Sequence, residues 1–215
     1  METFTLPNGE KVEFIPESHT YLIRGKILPS ITGLLTRIHG DKYKCVNPEI
    51  LERSAEYGTK VHKEIQDLIE VRNSGFDIDN FILQSTQETQ NYFNVIEPKY
   101  GLEPLMTEVV VVLYDRENNP IAAGRFDLVC KDTINKNIML CDFKTTSTIS
   151  TSLVSDQLNL YKRAAEQSGY FSPDEIKSLA VIHLSGEQCR LKMLQIFGEK
   201  FFDRYIEAAK QTEEL

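Results

Sequence analysis

The stretches GRFDLVC (residues 124–130) and LCDFKTT (residues 140–146) decide the fold that this sequence predicts. Both are apolar and strand-like, and the turn-like segment DTINKN separates them, so they are expected to form an antiparallel hairpin. Because side chains alternate along a strand, Asp142 and Lys144 share one face and Phe143 takes the other. The hairpin therefore presents a carboxylate and a lysine side by side.

A second carboxylate is expected on the same face. If Asp127 lies opposite Asp142, the thiols of Cys130 and Cys141 must both point to the opposite face. The acids and the lysine then meet on one side of the sheet, and the two thiols enter the packing on the other.

The preceding hairpin adds a third carboxylate. If DRENNP is its loop, Tyr114 pairs with Ile121, and Glu108 then lies opposite Asp127. Like charges this close repel one another unless a cation compensates, and carboxylate oxygens suit Mg²⁺ or Mn²⁺ better than zinc. The sequence thus predicts a divalent-metal site on this patch of sheet.

Such a metal site supports the hydrolysis of phosphodiesters. The metal activates a water and stabilises charge on the leaving oxygen. Lys144 would orient the nucleophile or stabilise the transition state, with Thr145 and Thr146 as further donors to substrate. A carboxylate-x-lysine triplet alone is common, and Glu97-Pro98-Lys99 and Glu175-Ile176-Lys177 also match. Only the triplet at Asp142 ends an apolar strand with a second aspartate suitably placed upstream.

Two helices are expected to flank the hairpins. Asn47-Pro48-Glu49 predicts the start of a helix that runs to about Arg72 and carries His62. Gly58 lies one turn before His62 and indicates a close approach to the helix backbone. His62 is a candidate metal ligand, and a buried core histidine is the alternative.

The second helix, from about Leu153 to Gln167, follows the lysine strand. Gln157 and Tyr161 share one of its faces and are candidates for the catalytic neighbourhood, while Lys162 and Arg163 are candidates for phosphate contacts. The alternative is an amphipathic helix that packs its apolar face.

The rest of the chain suggests one domain, residues 1–215, with an N-terminal hairpin appendage (1–45) and a core (46–215). Asn8-Gly9 and Arg24-Gly25-Lys26 predict two hairpins. A helix from Phe81 to about Glu97, ended by Pro98, is expected before the strands. A strand over 176–184, a candidate strand over 190–194 and a helix over 199–210 complete the order.

Composition restricts the class of protein. The sequence has no membrane-length apolar run and no visible signal peptide, so an intracellular, cytoplasmic protein is expected. Its four cysteines lack CxxC spacing, which favours buried free thiols over a zinc ribbon or disulfides. The net charge of −8 weighs mildly against nucleic acid as a partner. A carboxylate site is acidic by construction, so the charge does not exclude a nuclease.

Taken together, these motifs resemble the PD-(D/E)XK nuclease superfamily, and within it the RecB-like branch that includes phage recombination exonucleases. The matching motifs span roughly residues 55–185 and occur in the order of that branch: Gly58-x-x-x-His62, Glu108, Gly124-x-x-Asp127, Asp142-x-Lys144 and Gln157-x-x-x-Tyr161. The resemblance implies an α/β (α+β) restriction-endonuclease-like αβββαβ core, whose central mixed sheet is flanked by helices.

The resemblance also implies roles. His62, Asp127, Asp142 and the backbone of Phe143 would bind Mg²⁺ or Mn²⁺, and Lys144 would be the catalytic lysine. Gln157 and Tyr161 would support the site, with Glu108 as an accessory residue. The expected activity is that of a DNA exonuclease. A catalytically silent binding module of the same fold and an RNA- or structure-directed endonuclease are the alternatives.

Partners and further cofactors follow from the same comparison. Only Cys189 lies downstream, where some relatives carry a CxxC-containing group that holds an iron–sulfur cluster, so no cluster is expected. The chain has no P-loop, so unwinding would need a helicase or recombination partner. A ring-shaped oligomer is an expectation by analogy alone.

Overall fold

The computed structural model describes residues 1–40, 44, 46–186 and 188–210, and its strands form two sheets. The first sheet is antiparallel with its strands in chain order: β1 Glu2–Thr5, β2 Lys11–Ile15, β3 Thr20–Ile23 and β4 Lys26–Leu28. Both predicted N-terminal hairpins are confirmed. They also pair through β2 and β3 into a single four-stranded sheet, which the turn motifs alone do not specify.

Two capped helices follow this sheet. Helix α1 (Ile31–His39) begins at Ser30, whose hydroxyl accepts a backbone N–H of the first turn at 2.9 Å. Helix α2 (Pro48–Asn73) begins at Asn47, whose side chain accepts the backbone N–H of Glu49 at 2.9 Å. The proline sits in the first turn, where its missing N–H is not needed. The predicted start of the long helix is confirmed.

The prediction of one helix ending at Pro98 is wrong. The segment consists of shorter helical pieces: α3 Asp79–Gln84, α4 Gln87–Asn91, a π-helical turn Tyr92–Ile96 and α5 Glu97–Tyr100. Pro98 lies in the first turn of α5, which tolerates proline, so the chain stays helical through it. The helix ends instead at Gly101, whose left-handed φ of 59° suits glycine.

The second sheet is mixed and has five strands in chain order: β5 Leu102–Tyr114, β6 Pro120–Asp132, β7 Asn137–Lys144, β8 Ile176–Ser185 and β9 Gln188–Leu194. Strands β5, β6 and β7 form an antiparallel meander, β8 pairs parallel with β7, and β9 returns antiparallel. Helix α6 (Thr151–Gln167) makes the crossover from β7 to β8, and helix α7 (Lys200–Lys210) follows β9. The protein is therefore an α+β fold with helices flanking a mixed sheet.

Three apolar clusters hold these layers together. Helices α1, α6 and α7 pack on one face of the five-stranded sheet, and the segment from α2 to α5 packs on the other. The four-stranded sheet packs against β5 and β6 through residues such as Val110 and Val112. The active-site candidates lie where β5, β6 and β7 meet helix α2.

The prediction that the cysteines are buried free thiols holds for two of the three that the structure describes. Cys130 and Cys141 are buried with Phe143 in the cluster under α2, and their sulfurs lie 3.9 Å apart. The prediction for these two thiols is confirmed. Cys189 is only half-buried, contrary to the expectation of a buried thiol, because it lies on the last strand of the sheet. Cys45 lies outside the described residues.

Candidate metal centre

The strand register brings Glu108 and Asp127 together. Val109 pairs with Phe126 and Thr107 pairs with Leu128, so Glu108 and Asp127 face each other between these pairs. The predicted register is confirmed here.

The predicted pairing of Tyr114 with Ile121, from which that register was counted, is wrong. Tyr114 pairs with Pro120 rather than Ile121, and an irregularity next to Leu113 restores the expected alignment. The register shift at Tyr114 is therefore confined to the end of the hairpin, and the alignment at Glu108 and Asp127 is the predicted one.

Glu108 adopts a backbone conformation that is unusual for a residue within a strand. Its φ is +50°, in the left-handed region that non-glycine residues rarely occupy. Strain of this kind costs about 1–3 kcal/mol and concentrates at functional sites. Here it accompanies a carboxylate that is directed into a charged cluster.

Three side chains from three elements converge at this point. His62 of α2, Glu108 of β5 and Asp127 of β6 each offer a ligand atom, and these atoms lie within 4.8 Å of one another. His62 Nδ1 is 3.6 Å from Asp127 Oδ2, and the His62 ring meets Phe143 edge-on at 5.6 Å. One nitrogen and two carboxylate donors form a set that a divalent cation can bind.

Gly58 lets helix α2 come this close. A Cβ at position 58 would lie 3.2 Å from Thr145 Oγ1, so even an alanine would crowd the end of β7. One turn later the same helix places His62 over the cluster. The close approach predicted from Gly58 is present, and its partner is Thr145.

Asp142 and Lys144 form the adjoining part of the site. Asp142 is buried, and its Oδ2 lies 2.7 Å from Lys144 Nζ. Burial raises the pKa of Asp142 to about 6; Lys144 opposes this rise and Asp127 adds to it. The charges of Asp127 and Asp142 therefore interact with each other.

Two of the expected ligands have contacts of their own next to this cluster. Asp142 pairs with Lys144, whereas Glu108 lies in the cluster of ligand atoms with His62 and Asp127. The backbone N–H of Phe143 donates to Asp127 Oδ2 at 2.7 Å and orients that carboxylate. The β6–β7 ladder ends at Leu128 and Cys141, so Asp127 and Asp142 lie just beyond its last pair. Metal binding by Asp142 and by the Phe143 backbone stays a prediction.

The electrostatics of Glu108 fit a cation site. Burial and the charge of Asp127 together raise the pKa of Glu108 to about 7, against the opposing effects of His62, Arg125 and Lys63. A carboxylate that ionises reluctantly beside another carboxylate is stabilised by a bound divalent cation.

Tyr161 and Gln157 lie on α6 below the strands. Tyr161 is buried and hydrogen-bonds with Gln157, and the charges of Asp127 and Asp142 both act on its phenol. Gly124 makes room for this ring, because a Cβ there would lie 2.8 Å from Tyr161 Cε1. Gly124 of the Gly-x-x-Asp motif is thus a packing requirement of the site.

The remaining candidates divide into two groups. Thr145 and Thr146 follow Lys144 at the end of β7, and His183 donates from Nε2 to the carbonyl of Thr146 at 2.7 Å. Lys162 and Arg163 are not brought to the cluster. Buried Lys162 pairs with Glu166 and Asp174, and Arg163 pairs with Glu199 and lies over the ring of Phe202.

The cluster opens into a cleft of about 470 Å³ between α2 and the N-terminal sheet. Several residues that line the cleft were not among the predicted site residues, namely Phe14, Thr59, Lys63, Gln66 and Arg125. Arg125 lies two residues before Asp127, and strand alternation would have placed it on the same side.

Comparison with known proteins adds little. No family model matches the sequence, and no curated protein matches it. The crystal structure of SSO0001 superposes with a TM-score of 0.46 at 12% identity, over 86% of this chain and 75% of that chain. At this TM-score the likeness supports neither a shared fold nor a shared activity. No helix of the described residues is long and apolar enough to cross a membrane.

Proposed function

We propose that this protein is a Mg²⁺- or Mn²⁺-dependent DNA nuclease that acts as an exonuclease. The observation that carries the proposal is the convergence of His62, Glu108 and Asp127 beside the ion pair of buried Asp142 with Lys144. A metal with this mixed set of ligands supplies an activated water and a counter-charge for the phosphate. The exonuclease preference comes from the resemblance to the RecB-like branch.

Each residue has a distinct part in this scheme. His62, Glu108 and Asp127 would hold the metal, and the Phe143 N–H keeps Asp127 in place. Lys144, held by Asp142, would stabilise the negative charge that develops on the phosphate. Tyr161 and Gln157 would brace the strands from below, and Thr145 and Thr146 would contact the substrate backbone.

The order of the elements supports the same proposal. An antiparallel meander of three strands, a helix, and a parallel fourth strand is the order expected for a restriction-endonuclease-like core. A catalytically silent nucleic-acid-binding module is the second candidate. The intact carboxylate cluster and the lysine disfavour it, because a binding module has no need of a strained, half-buried Glu108.

A digestion assay tests the proposal. End-labelled linear and closed circular DNA, single- and double-stranded, are incubated with purified protein in Mg²⁺, Mn²⁺ or EDTA, with Lys144→Ala as the inactive control. We expect metal-dependent loss of the linear forms alone. Cleavage of circles would identify an endonuclease with the same site. No cleavage of DNA or RNA in any condition would reject the nuclease.

A further inference from the structure

Aromatic side chains of the N-terminal sheet form a second wall of the cleft beside the His62–Glu108–Asp127 cluster. His19 lies 5.3 Å from Phe14 and 5.8 Å from Tyr21 between ring centroids, edge-on to both. Phe14 and Tyr21 are buried in the N-terminal sheet, whereas His19 is exposed. The His19 imidazole is therefore an accessible ring on a rigid support.

The backbone fixes the direction of this ring. His19 has a left-handed φ of +50° and follows the 3₁₀ turn Pro16–Ser18, and its N–H donates to the carbonyl of Pro16 at 3.2 Å. Non-glycine residues seldom adopt this conformation, and histidine is among those that adopt it more often. It presents the ring from the end of β2 toward the cleft.

Arg125 supplies a positive charge in the same cleft. Its guanidinium lies over Phe14 at 5.2 Å, and its one ion pair in the described part of the chain is a long 3.7 Å contact with Glu2. Its Nε–H is buried and has no acceptor among the described residues. A buried donor without an acceptor is unfavourable, and a phosphate oxygen would satisfy it.

We propose that this wall binds one unpaired nucleotide of a single-stranded DNA end, with the base stacked on His19 and its phosphate on Arg125. The choice of a DNA end as the bound molecule rests on the proposed nuclease function. The cleft has the volume of a small-molecule site, which suits one nucleotide and not a duplex. A base offers its face for stacking only when it is unpaired.

Binding measurements test this subsite without cleavage. Fluorescence anisotropy would follow a labelled oligothymidine and a blunt duplex with the Lys144→Ala protein and with the same protein carrying His19→Asn, His19→Phe or Arg125→Gln. Asparagine tolerates the left-handed backbone and removes the ring, whereas phenylalanine keeps a ring. Thermal unfolding would verify that each variant folds.

The substitutions should change the affinity for the single strand and leave the affinity for the duplex unchanged. We expect His19→Asn to weaken oligothymidine binding about 10-fold and His19→Phe to retain it within about 3-fold. Arg125→Gln should reduce the slope of log affinity against log salt concentration by about one. Equal affinity of the His19→Asn and parent proteins, equal losses for both DNAs, or no oligothymidine binding by the parent would overturn the subsite.

The two proposals fail separately. Cleavage that is independent of His19 and Arg125 would leave the nuclease intact and reject the subsite. His19-dependent binding of single strands, by a protein that cleaves nothing in any metal, would keep the subsite and reject the nuclease.

Discussion

Glu108 combines an unfavourable charge with an unfavourable backbone. Its φ of +50° and its raised pKa both destabilise the metal-free fold, and both are explained if the side chain serves a cation. The fold tolerates them because the ladder continues in register on either side, through Thr107 and Val109.

The raised pKa of Glu108 predicts a pH-dependent stability. Between the ordinary value of 4.5 and about 7, the folded protein binds more protons at this site than the unfolded chain does. This residue's contribution to the free energy of unfolding therefore falls as pH rises through that window. In EDTA at pH 8, Glu108→Gln should be more stable than the parent by about 1–3 kcal/mol, and at pH 4 the two should be equal.

Chemical denaturation at both pH values measures this difference. Glu103→Gln is the matched control, since Glu103 lies on the same strand and is exposed; it should change stability by less than about 0.5 kcal/mol. Adding Mn²⁺ should stabilise the parent and Glu103→Gln but not Glu108→Gln. A Glu108→Gln protein that is less stable than the parent at pH 8 would contradict the assignment.

Local chemistry made several site residues predictable. The alternation of β7 was enough to separate Asp142 and Lys144 from Phe143, and the hairpin register brought Asp127 and Glu108 together. The end of the β6–β7 ladder at Leu128 and Cys141 and the left-handed φ of Glu108 were not predictable, because neither leaves a pattern in the sequence.

At the scale of elements, two glycines set the distances between the layers. Gly58 brings α2 to the end of β7, and Gly124 lets α6 place Tyr161 under β6. The helix and strand patterns predicted these elements. The tight contacts between them follow from tertiary packing, which the local sequence indicates only through its glycines.

Gly124→Ala should disturb the site through Tyr161. The added methyl group would meet the Tyr161 ring at 2.8 Å, closer than real contacts allow, so the ring or the strand must move. We expect a loss of about 1–3 kcal/mol in the free energy of unfolding and a reduced cleavage rate. Gly198→Ala is the control, because nothing lies within 4 Å of its added Cβ. Equal stability and activity of the two variants would show that Tyr161 is not held against Gly124.

At the scale of the whole molecule, one buried carboxylate joins three helices. Asp156 of α6 accepts from His39 of α1 at 2.8 Å and from Arg204 and Tyr205 of α7 at 2.5 and 2.6 Å. Helix α1 is thereby tied to the core, although it follows the N-terminal sheet in sequence. Residues 1–45, which include α1, are predicted to form an N-terminal appendage, and no local sequence pattern reports a contact across more than a hundred residues.

Asp156→Ala should therefore loosen the helical layer without touching the metal cluster. Removing the shared acceptor leaves the buried Tyr205 hydroxyl without it, whereas His39 and Arg204 are exposed to water, so the free energy of unfolding should fall by about 1–3 kcal/mol. Mn²⁺ affinity of the folded protein should stay within about 3-fold. Thermal unfolding and Mn²⁺ titration measure the two effects, and a large loss of metal affinity in a folded variant would contradict their separation.

The proposed nuclease activity requires the His62–Glu108–Asp127 cluster and Lys144 to act together on DNA. The most direct test is the single-turnover rate of cleavage of end-labelled linear DNA in Mn²⁺ by the parent, Asp127→Asn, Lys144→Ala and the control Glu103→Gln. We predict that both site variants lose at least about 1000-fold in rate while Glu103→Gln cleaves like the parent. Asp127→Asn should also lose Mn²⁺ binding, and Lys144→Ala should retain it. Cleavage by Asp127→Asn at the rate of the parent would contradict the account.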